Sequence, residues 1–135
     1  MRLPKNVKVK PIFFQHTAQA IYPNIYVPKW LYEHLKSKNP DSERVAVIIH
    51  EQTHIKRQKE MGWFLWEIKY VFLPKFRLEE ELLAIKAQVK YLKSKGIKYD
   101  EKDVEKAAKF LSSYLYLWMV SYKEAKRKLM EFVEI

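Results

Sequence analysis

Glycine is nearly absent from this chain: Gly62 and Gly96 are the 2 it has in 135 residues. Helix breakers are therefore few, and their positions divide the chain. Asn39-Pro40 reads as a helix start, with a capping residue followed by Pro in the first turn. Asp41 and Glu43 then sit where a helix dipole favours acids. Val45, Val47, Ile48 and Ile49 follow, so a helix is expected from Pro40 to Met61, stopped by Gly62. Trp63 to Leu73 is a second apolar helical piece, ended by Pro74. A third helix is expected from near Leu78 to just before Gly96, with Leu82, Ile85, Val89 and Leu92 as its apolar stripe. Asp100 caps a last helical region, whose apolar residues keep steps of three or four from Val104 to Phe132. Ser121 with Glu124 is a capping-box pattern that would split this region into two helices.

The first forty residues read differently. Val7 to Phe14 alternates, and Ala18 to Val27 is rich in Ile and Tyr but carries Pro23. Pro cannot donate to a ladder, so the second segment is expected at a sheet edge or a bulge. Trp30, Leu31, His34 and Leu35 recur at helical spacing after Pro28.

Composition excludes several chemistries. With no Cys, there are no disulfides, no Cys-ligated zinc, no iron–sulfur cluster and no Cys nucleophile. The formal net charge is +10, and residues 1–40 alone carry +6 of it. Such a surface attracts nucleic acid, acidic lipid or acidic substrates. The cations are mostly Lys, however, and Arg is the usual reader of bases. Nucleic acid is therefore not the expected partner. No apolar run reaches the roughly 20 residues needed to span a bilayer. The expectation is a soluble, cytoplasmic protein with no transmembrane segment.

The chemistry concentrates in His50-Glu51-Gln52-Thr53-His54, an HExxH motif on the expected Pro40–Met61 helix. Four residues make about one turn, so both imidazoles project from one face and can share one Zn²⁺. Glu51 lies beside the metal rather than on it, placed to take a proton from its water. A catalytic zinc needs a third protein ligand and an open position. No His follows His54, and His16 and His34 precede it. The stronger candidates are Glu79, Glu80 and Glu81. Neighbours on a helix are about 100° apart, so they face different ways. Glu81 shares the stripe of Ile85 and Val89 and points to the core. Glu79 and Glu80 read as solvated charges near a helix start. A carboxylate turned inward is costly unless paired or metal-bound, which selects Glu81.

An HExxH helix followed by a glutamate helix resembles the gluzincin metallopeptidases. The run from Phe76 to Gln88 resembles in particular the minigluzincins, small soluble zinc peptidases in which the ligand Glu is commonly followed three residues later by Ala, as Ala84 follows Glu81. The resemblance covers Val45 to Gln88 well and the N-terminal strands loosely. It departs at Ile85, where many gluzincins carry an Asp that supports a zinc-binding His. That support would have to come from Gln88, a backbone carbonyl or water.

The resemblance implies an α+β, mostly helical fold. A small N-terminal β-sheet would lie over the HExxH helix and the glutamate helix, followed by a C-terminal helical segment. Residues 1–98 would form the peptidase domain, with one catalytic Zn²⁺ on His50, His54 and Glu81 and with Glu51 as general base. An edge strand within Ala18–Val27 would hold a peptide or protein substrate by main-chain pairing. His16, Tyr26 and Arg77 are all open as partners of the oxyanion. Residues 99–135 would act as an inhibitory segment, making the protein a latent zymogen. An ordinary core role suits them equally, and helices exchanged between two copies would make a homodimer. Two other readings stand beside this one. One is a regulatory peptidase that cuts a DNA-bound repressor. The other is a non-catalytic basic binding module whose structural zinc is closed by His16 or His34 as fourth ligand.

Overall fold

Asp41, Pro74 and Asp100 each stand at the head of a helix in the computed structural model, which describes residues 3–10, 18–113, 116 and 119–133. Three short strands precede them: β1 (Val7–Val9), β2 (Gln19–Ile21) and β3 (Asn24–Val27). Six helices follow among the described residues: α1 (Lys29–Leu35), α2 (Ser42–Met61), α3 (Trp63–Phe72), α4 (Pro74–Ser94), α5 (Glu101–Leu111) and α6 (Tyr122–Val133). The fold is α+β and mostly helical, as expected. No described helix is long and apolar enough to cross a membrane. Contacts divide the chain into two units, Met1–Trp66 and Glu67–Ile135.

In the first unit the strand order is β1-β3-β2. β1 runs parallel to β3, and β2 runs antiparallel to it in the register Gln19↔Tyr26, Ala20↔Ile25 and Ile21↔Asn24. The Ala18–Val27 segment is thus two strands, and only β2 lies at an edge. Ile25 and Val27 alternate inward on β3 and are fully buried. β2 and β3 pack against α2, and α1 packs against β1 and α2. The second half of the expected Val7–Phe14 strand lies outside the described residues, as does His16.

α2 ends where the sequence indicated. Gly62 has φ +96°, which L side chains rarely adopt, and its N–H donates to the Gln58 carbonyl over 2.9 Å. α4 begins at Pro74, a turn earlier than expected, because Pro fits the first helical position and needs no N–H partner there.

In the second unit, Leu78 and Ile85 of α4 share a core with Val104, Ala108 and Leu111 of α5 and with Ala125 and Leu129 of α6. The C-terminal helices are therefore core elements of this unit. Asp100 and Asp103 form a reciprocal capping box at the start of α5, each side chain accepting from the other's backbone N–H over 3.0 Å. Ser121 Oγ accepts from the Glu124 N–H over 3.2 Å and so caps α6, which makes the C-terminal region two helices.

Candidate metal centre

α2 begins its buried stripe with Val45 and Ile48, then continues it with Glu51, His54 and Gln58 at the same helical spacing. Apolar residues would suffice to bury this face. Polar ones there are costly unless each meets a partner or a ligand. The His50 and His54 rings lie one turn apart, their centroids 5.0 Å from each other with planes inclined by 79°. His54 is only 5% exposed. The indole of Trp66, also buried, meets the His54 ring edge-on at 5.6 Å and limits its rotation. His50 is half-buried.

Glu51 is buried and lies near Lys10, at the end of β1. Burial lowers the Lys10 pKa from its ordinary value, and the Glu51 carboxylate partly offsets that by favouring the ammonium.

Two glutamines of α2 hold the sheet. The Gln58 amide donates to the Ala20 carbonyl over 3.1 Å and accepts from the Tyr22 N–H over 2.9 Å. Gln52 and Asn6 exchange side-chain hydrogen bonds of 3.2 and 3.5 Å, and Asn6 also donates to the Pro23 carbonyl over 3.1 Å. The Ala20 carbonyl and the Tyr22 N–H of the β2 edge, where substrate pairing was expected, are thus engaged by Gln58.

In the second unit Glu81 is 2% exposed, consistent with the inward direction inferred from its spacing. Its Oε2 accepts from the Tyr70 hydroxyl over 2.8 Å. Arg77 holds Tyr70 in turn. Its guanidinium donates to the Tyr70 and Val71 carbonyls over 2.7 and 3.1 Å, satisfying the last turn of α3, and lies 5.9 Å from the Tyr70 ring centroid. Arg77 is thereby buried as a helix-end partner, although its chemistry had left it open for an oxyanion.

The expectation for Glu80 requires correction. It reads as a solvated charge but is 2% exposed. It lies on one face of α4 with Arg77 and Ala84, a second buried stripe that an apolar pattern cannot mark because two of its members are charged. Glu79 is exposed, as expected.

His34 takes a different role from a fourth metal ligand. Its Nε2 accepts from the Asp41 N–H over 2.9 Å, satisfying a donor at the start of α2. Tyr26 accepts from the Asn24 amide over 3.4 Å. Tyr70, Trp66 and Gln58 belong to no motif in the sequence. Only Gln58 left a signal, as a polar residue in step with the α2 stripe.

No protein-family model, curated protein or solved structure matches this chain.

Proposed function

We propose that the protein is a zinc-dependent metallopeptidase of the gluzincin type, in which His50, His54 and Glu81 hold one zinc ion and Glu51 is the general base. The donor set carries the reading. Among the described residues, His50, His54 and Glu81 are a group of histidine and carboxylate side chains that could hold a metal ion. Two imidazoles and one carboxylate are a set that zinc takes in catalytic sites, where a fourth position stays open to solvent. The minigluzincin resemblance, carried by the HExxH string and by Phe76–Gln88, supports the same assignment.

Zinc bound there supplies a Lewis acid that polarises a peptide carbonyl and acidifies water. The remaining chemistry belongs to the chain. Glu51 takes the proton of the attacking water and returns it to the leaving amine. Trp66 and Tyr70 hold a ligand each, the first by ring packing and the second by a hydrogen bond. The substrate is a peptide or protein.

The Glu51→Gln variant tests this. It should bind zinc as the parent does and lose peptide hydrolysis by a factor of about 10² or more. A variant that cleaves at the parental rate would remove Glu51 from the mechanism.

A further inference from the structure

α3 is built inside out. Its buried side carries Trp66 and the half-buried Tyr70. Phe64, Leu65, Ile68, Val71 and Phe72, spaced i, i+1, i+4, i+7 and i+8, form a continuous apolar stripe on the other side, and every one of them is exposed. Phe64 reaches 63% exposure and Phe72 73%. Single exposed apolar residues are ordinary, but a stripe of five on one helix face marks a docking surface.

The charge that flanks the stripe along the chain points to what docks there. Lys56 and Lys59 precede α3, Lys69 lies within it, and Lys75 follows it. The acids in the same stretch are Glu60, which pairs with Arg57 at 3.8 Å, and Glu67. A second copy of the chain would suit this surface poorly, since a two-fold interface would set the lysines of one copy against those of the other.

We propose that α3 is a membrane-surface helix, which lays Phe64, Leu65, Ile68, Val71 and Phe72 into the acyl boundary of an acidic bilayer while Lys56, Lys59, Lys69 and Lys75 meet lipid headgroups. Apolar burial and attraction to anionic lipid are the two contributions that hold such helices in the interface. At 10 residues, α3 lies on a bilayer and does not span it. Docking requires neither metal nor catalysis.

The test is co-sedimentation of the full chain with vesicles of phosphatidylcholine alone and with vesicles that also contain phosphatidylglycerol. Binding should be at least about tenfold stronger to the acidic vesicles and should fall steeply with added salt. The F64S/I68S/F72S variant changes exposed positions only and should lose binding by a similar factor. K59E/K75E should lose the preference for acidic lipid even if the triple variant folds poorly. Equal binding to both vesicles, failure to bind either, or wild-type binding by either variant would overturn the proposal. So would a chain that dimerises through α3 and leaves vesicles unbound.

Discussion

The Tyr70 hydroxyl donates a hydrogen bond of 2.8 Å to Oε2 of Glu81, a carboxylate that is 2% exposed. That carboxylate oxygen is thereby fixed in position. Partners of this kind orient metal ligands, and losing one typically costs about 10- to 100-fold in metal affinity. Tyr70→Phe should therefore weaken zinc binding by about that factor, measured by competition with a chelator, while the helical signal stays unchanged. Unaltered affinity would remove Tyr70 from the support of the ligand.

Gly62 holds a positive φ at the end of α2, and a Cβ there would meet nothing within 4 Å. The cost of Gly62→Ala is then conformational alone. It should lower the unfolding free energy by about 1–3 kcal/mol in a urea titration. A neutral result would mean that the α2–α3 junction relaxes to negative φ.

Tyr99 packs at the margin of the second unit's core, where burial, reinforced by Asp103, raises its pKa from 10.0 to about 12. The folded protein keeps this phenol protonated where the unfolded chain has already released the proton. The resulting stability is complete below pH 10 and is lost as the pH rises toward about 12. Tyr99→Phe should flatten the fall in stability over that window, and the parent should show one tyrosine titrating late in ultraviolet absorbance.

Residues 99–135 contribute Val104, Ala108, Leu111, Ala125 and Leu129 to the core they share with Leu78 and Ile85. A chain truncated after residue 98 exposes both α4 residues. It should lose cooperative unfolding and gain no peptidase activity. Truncated protein that folds and cleaves peptides faster than the full chain would instead establish the C-terminal segment as an inhibitory one.

Helix α2, its stop at Gly62 and the caps at Asp100 and Ser121 were legible because each depends on local rules: apolar period, positive φ and a side chain reaching its own helix end. The inward direction of Glu81 followed from its place on the Ile85 stripe. The burial of Glu80 is not legible in the same way, because a buried charged stripe leaves no hydropathic mark. The α4 start was misplaced because Pro74 reads equally as a stop for α3 and as a first helical residue. Trp66 on His54, Tyr70 on Glu81 and Gln58 on the β2 edge are tertiary contacts. Their partners are 11 or more residues away along the chain, and no spacing rule links them.

Metal stoichiometry and affinity of the purified full chain test the central assignment most directly. The account predicts one zinc per chain, with affinity lowered by about 10²-fold or more in each of His50→Ala, His54→Ala and Glu81→Ala, and unchanged in Glu51→Gln. A chain that takes up no zinc, or whose affinity is indifferent to those three side chains, would contradict it.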